Sequence, residues 1–114
     1  MATVFSERTQ RNISEALKLD ALMNDAGLPR SDWRLMTRYV VYGQPPGDFL
    51  ESILEGDLFG AVEAGNDDER QQLVAWAQFV HCFTPEQCHG SAECVRGWMA
   101  KGGTAYRYRD LLND

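Results

Sequence analysis

The sequence predicts an all-α protein, a compact single-domain bundle of about five to six short helices spanning residues 1–114. Apolar residues recur at spacings of three and four, no stretch keeps the period-two alternation of a strand, and Gly or Pro punctuates the chain at helix-length intervals. A length of 114 residues suits one core and is too short for two independent ones. Apolar residues make up 44% and charged residues 25%, too hydrophobic for general disorder. No apolar run approaches the ~20 residues that span a bilayer. The start, Met1-Ala2-Thr3-Val4-Phe5-Ser6-Glu7, lacks the basic head and apolar middle of a signal peptide. No membrane association and a cytoplasmic location are therefore expected.

The first helix is placed within Ser6 to Asp25, with Ile13, Ala16, Leu17 and Met23 as its apolar stripe and Ala26-Gly27 as its stop. Arg30 or Ser31 opens the second, which turns Trp33, Met36 or Leu35, Tyr39 and Val40 inward and ends at Gly43. Pro45-Pro46-Gly47 breaks the chain, yet proline is welcome in a first helical turn, so a third helix starts there. Its face is Phe49, Leu50, Ile53 and Leu54. Gly56 stops it, and Asp57 caps a short helix through Leu58, Phe59, Ala61 and Val62.

Asn66 and Glu69 have capping-box spacing, and the helix that follows carries Leu73, Trp76, Ala77, Val80 and Phe83 on one stripe, with Phe79 at its edge. This is the expected centre of the core, stopped by Thr84-Pro85. Ser91 caps a helix with Cys94, Val95, Trp98 and Met99, closed by Gly102-Gly103. A last short helix from Thr104 would hold Tyr106, Leu111 and Leu112.

The stretch Gly43-Gln44-Pro45-Pro46-Gly47-Asp48-Phe49-Leu50, continued by Ile53-Leu54 and Asp57-Leu58, also forms a motif, G-x-P-P-G-x-F-L-x-x-(I/V)-L-x-x-D-L. It resembles one found in a family of small bacteriophage, prophage and plasmid proteins with no assigned activity. The resemblance covers roughly residues 38–98. It takes in Trp76-Ala77-Gln78-Phe79-Val80-His81 and the run from Cys88 through Gly90, Ser91, Glu93 and Val95 to Trp98. The sequence departs from it at Glu55-Gly56-Asp57, where relatives tend to have Asn before the Asp, and at Gln87, where they often have Gly. What the resemblance implies is a mobile-element origin, without a reaction.

His81, Cys82, Cys88, His89 and Cys94 offer five possible metal ligands within fourteen residues. A C-x5-C-x5-C spacing lacks the C-x2-C knuckle of a zinc finger, so the cysteines read as buried small residues and no metal or other cofactor is assigned. An odd thiol count without a secretion signal also disfavours disulfides. Cys88 with His89 or His81 is a candidate for a nucleophile and base, but neighbours in a loop rarely aim at each other. No catalytic residue is assigned. Lys101-Gly102-Gly103-Thr104 lacks the preceding glycines of a phosphate loop and reads as a helix stop.

Charge is the remaining signal. The net charge is −6, and from Asp48 to Glu69 there are eight carboxylates and no Lys or Arg. Asp48, Glu51 and Glu55 fall along one edge of a helix, while Asp67 and Asp68 complement a helix dipole. A solvated face explains such a band. The sharper reading takes Asp48, Glu51, Glu55, Asp57, Asp67 and Asp68 as a partner-binding surface for the basic groove of a nucleic-acid-binding protein.

Arg30, Arg34 and Arg38 form a basic ridge suited to phosphate, and Tyr106-Arg107-Tyr108-Arg109 alternates aromatic and guanidinium groups. The acidity of the whole chain disfavours direct nucleic-acid binding. Together these features predict a non-catalytic mobile-element protein that binds and inhibits a host protein in the host cytoplasm. An anti-CRISPR-like inhibitor of a CRISPR effector subunit is the most concrete version. The alternatives are a small DNA-binding regulator using the Arg30, Arg34, Arg38 helix and a zinc-stabilised accessory domain. Exposed aromatics also allow a homodimer.

Overall fold

The structure, a computed structural model, describes residues 7–104, and all of its regular structure there is helical. Seven α-helices run α1 (Glu7–Asp25), α2 (Arg30–Tyr42), α3 (Asp48–Glu55), α4 (Leu58–Ala64), α5 (Asp67–Gln71), α6 (Leu73–Phe83) and α7 (Ala92–Lys101). A single 3₁₀ turn, Glu86–Cys88, precedes α7. The expected helix from Thr104 and the Tyr106-Arg107-Tyr108-Arg109 tail lie outside the described residues. No helix among those described is long and apolar enough to cross a membrane.

Glycine ends these helices where the sequence places it. After α1, Gly27 takes φ +72°, its N–H donates to Asn24 O, and the Leu28 N–H reaches back to Met23 O. The same paired bonds close α3 at Gly56 and Asp57, and α7 at Gly102 and Gly103. This Schellman arrangement satisfies carbonyls that a helix end leaves open, and only glycine adopts the left-handed turn at no steric cost. Side-chain caps set the other ends. Asp57 accepts from the Gly60 N–H at 2.9 Å, Ser91 from the Cys94 N–H at 3.1 Å, and Asn66 and Glu69 form a complete capping box.

One core cluster joins the helices. Its largest members are Trp76 and Phe79 of α6, Tyr39, Met36 and Val41 of α2, Leu50 and Leu54 of α3, and Met23 of α1. The Trp76 and Phe79 rings meet edge to face at 5.9 Å, a favoured aromatic geometry. The Tyr39 hydroxyl donates to Cys88 O at 2.6 Å and so ties the 3₁₀ turn to α2. From α7, the Trp98 indole N–H donates to Tyr39 O and Val40 O at 3.0 and 3.2 Å. Thr104 Oγ1 adds a bond to Val40 O at 2.8 Å.

Two expectations are corrected. Among the described side chains of α1, Met23 is buried as expected, together with Asn12 and Leu19, whereas Ile13 and Leu17 are exposed, so the packed stripe is rotated. The helix expected to run on from Asn66 is two, α5 and α6, because Gln72 leaves helical geometry at φ −99°, ψ 10°. In α4 only Ala61 is buried. Leu58, Phe59 and Val62 face outward, since the small Ala61 lets α4 lie close on α3 and leaves its wider side uncovered.

The α2–α7 junction yields a test. A Cβ at Gly103 would lie 2.6 Å from the Val41 carbonyl, at φ +71°, whereas one at Gly97 within α7 would meet nothing within 4 Å. Gly103→Ala should destabilise the fold by about 2–4 kcal/mol, from backbone overlap and left-handed strain. Gly97→Ala should be neutral or stabilise by up to about 1 kcal/mol. Urea unfolding of both variants checks the contrast.

Candidate functional site

The predicted acidic surface separates into three parts. Asp48, Glu51 and Glu55 do share one face of α3, where with Ser52 they line a shallow hollow. Glu51 and Glu55 are half-buried and Asp48 is exposed, and the Glu51 carboxyl is raised above the ordinary value near 4.5, first by burial and then by Glu55 and Asp48. The three side chains feel one another, as a stripe of like charges must. Asp57 has a structural duty, because its carboxylate caps α4. Asp67, in the first turn of α5, pairs with Arg70 at 3.1 Å on the surface. Asp68 lines a separate polar cavity together with Asp32 and Glu69.

Sequence reasoning missed an apolar surface nearby in the chain. A cavity of about 440 Å³ lies between α4 and α6, open on one side and lined almost wholly by apolar atoms. Ile53, Leu58 and Ala61 form one wall; Leu73, Val74 and Ala77 form the other. Phe59 is 84% exposed, Val74 68% and Leu58 57%. Clusters of this kind on a small soluble domain mark interaction sites more often than isolated exposed side chains do. The signal was present as excess: α4 carries three large apolar residues on a helix of two turns, more than one core-facing side can hold.

The cysteine and histidine set is not gathered. Among the described residues, no three His, Cys, Asp or Glu side chains converge as a metal ion would require. Cys82 is exposed, Cys94 half-buried and Cys88 fully buried. Burial pushes the Cys88 thiol up to about 11, the opposite of what activates a nucleophile. His89 is lowered by burial and then by neighbouring His81, and its buried Nε2 has no partner. The Cys88 thiol is therefore not hydrogen-bonded to His89 Nε2.

On α2, Arg30, Arg34 and Arg38 are all exposed, and Arg30 lies over the Trp33 ring at 5.3 Å. The ridge exists as a surface feature. Comparison with models of known protein families, with curated proteins and with solved structures finds no match.

The α3 stripe makes a pH prediction. Because the folded-state value of Glu51 lies above the ordinary one, the fold favours its protonated form. The stability this lends is complete below the unfolded value and fades as pH rises through the folded one. Glu51→Gln should therefore raise the melting temperature near neutral pH, with the gain vanishing in acid below about pH 4. Thermal melts of both proteins across that window check the sign.

Proposed function

We propose that this is a non-catalytic protein of a phage or plasmid that binds a host protein and blocks its nucleic-acid-binding surface. An anti-CRISPR-like inhibitor of a CRISPR effector subunit is the most concrete form. The observation that carries the reading is the exposed apolar set Leu58, Phe59 and Val62 on α4, a helix packed directly on α3, which carries the acidic stripe of Asp48, Glu51 and Glu55. An apolar centre supplies affinity through water exclusion, and a charged border supplies encounter rate and orientation. The complementary partner is a basic surface with an apolar anchor, such as an amphipathic helix. Its apolar stripe would seat against α4 and α6, with Lys or Arg flanks toward α3. The mobile-element origin rests on the resemblance carried by the Gly43 to Leu58 motif.

The exposed Arg30, Arg34, Arg38 ridge supports a second reading, direct binding to duplex DNA, which a low-salt mobility-shift assay decides. No shift at micromolar protein would discard it, since nonspecific affinities run at ~10⁻⁴ to 10⁻⁶ M even at physiological salt.

Two variants separate the parts of the main proposal. With the tagged full chain as bait in the host, Phe59→Asp should lower recovery of the partner about tenfold or more, as expected for a central apolar contact. Triple reversal of Asp48, Glu51 and Glu55 to Lys should slow association and remove most of the salt dependence of binding. Unchanged recovery with both variants, each shown to be folded, would reject this face.

A further inference from the structure

On a different part of the surface, a polar cavity of about 270 Å³ opens between the first turn of α2 and the segment from Asn66 to Gln72. Asp32, Asp68 and Glu69 line it with the side-chain amides of Asn66, Gln71 and Gln72, and its lining holds no Lys, Arg or His.

Asp32 is only 6% exposed, and its buried Oδ2 has no hydrogen-bond partner. Glu69 is fixed beside it by the capping box, with Oε1 accepting from the Asn66 N–H at 3.0 Å. Both carboxyl groups line the same cavity, and the Glu69 charge bears on Asp32. Such a pair cannot carry two full charges without a proton or a cation between them.

Two basic side chains close in sequence to these carboxylates, Arg70 and Arg30, are engaged elsewhere. Arg70 Nε donates to the Val62 and Gly65 carbonyls, each at 3.0 Å, and its Nη1 pairs with Asp67. Arg30 lies over Trp33.

We propose that this cavity is a binding site for an organic cation, a guanidinium or primary ammonium head group held between Asp32 and Glu69. A planar guanidinium presents several N–H donors in a fixed fork, matched to a pair of carboxylates. A divalent metal ion is less well served, because hard cations need six or more oxygen ligands and no metal-competent group of side chains converges here. At low pH a proton fills the role. Burial, then the Glu69 charge, raises the Asp32 carboxyl to about 6, so the cation competes with a proton in mild acid and has free access above neutrality. The site is separate from the α3–α4 face and does not depend on that face binding anything.

The test is a titration of the full chain with arginine amide and with spermidine, followed by amide NMR at about pH 7.5 and about pH 5. Saturable shifts are expected at the amides flanking Asp32 and Glu69. Binding should weaken about tenfold at the lower pH, as the carboxyl protonates, and by at least as much in Asp32→Asn. Glu69→Gln, which keeps an oxygen for the cap, is the second variant should Asp32→Asn fail to fold. Saturation by arginine amide alone points to the basic side chain of a protein partner. Binding of spermidine about tenfold tighter points to a free polyamine, and either result upholds the site. Three results would overturn it: no saturable shift with either probe, equal binding by a folded variant, or a response to magnesium or calcium alone.

Discussion

The C-terminal end of α2 is the constraint on which the rest of the structure depends. A helix leaves its last carbonyls without intrahelical partners, and here that end lies inside the molecule, with Tyr39, Val40 and Val41 all buried. Left unmatched, such groups cost about 1–3 kcal/mol each. Tyr39 O accepts from the Gly43 N–H at the cap, and the donors to Val40 O come from Trp98 and Thr104, more than fifty residues further along the chain. The close approach this requires is possible because Gly43 and Gly103 meet with no side chain between them. Once α7 is seated, the Tyr39 hydroxyl holds the 3₁₀ turn, and Gly90 N–H bonds to Leu54 O at 2.8 Å, fixing the end of α3. The acidic stripe is thus carried on an element anchored at its far end.

The fold was legible wherever one residue dictates local geometry. Gly27, Gly43, Gly56 and Gly102 all adopt positive φ, and Asp57, Asn66 and Ser91 all cap, because these roles belong to single residues and their immediate neighbours. Choices among faces were less legible. In α1, Ile13 and Leu17 offer one apolar side while Leu19 and Met23 offer another, and only the position of α2 decides between them. The pause at Gln72 has no Gly or Pro to announce it.

The candidate surface shows the same division. Helical spacing placed Asp48, Glu51 and Glu55 on one face, but charge alone could not show that Asp57 is occupied as a cap or that Asp67 is paired. It also could not reveal the apolar α4 side, since hydrophobic residues in a short helix are first assigned to the interior. That Asp32 and Glu69 line one cavity is invisible in one dimension: 37 positions separate them, and only the packing of α5 near the start of α2 brings them together. An acidic stripe that repels itself and a buried carboxyl without a partner both weaken the fold. Stability does not account for their presence.

Helix α6 is apolar on both sides. Trp76, Phe79 and Val80 complete the interior behind it, while Val74 and Ala77 look out across the trough toward α4. The helix is in effect a party wall: one room behind it is finished and roofed, and the other has its floor and sides but no ceiling. Whatever closes that second room would press on the back of the same rod that carries the main tryptophan, so the molecule's interior would register its arrival.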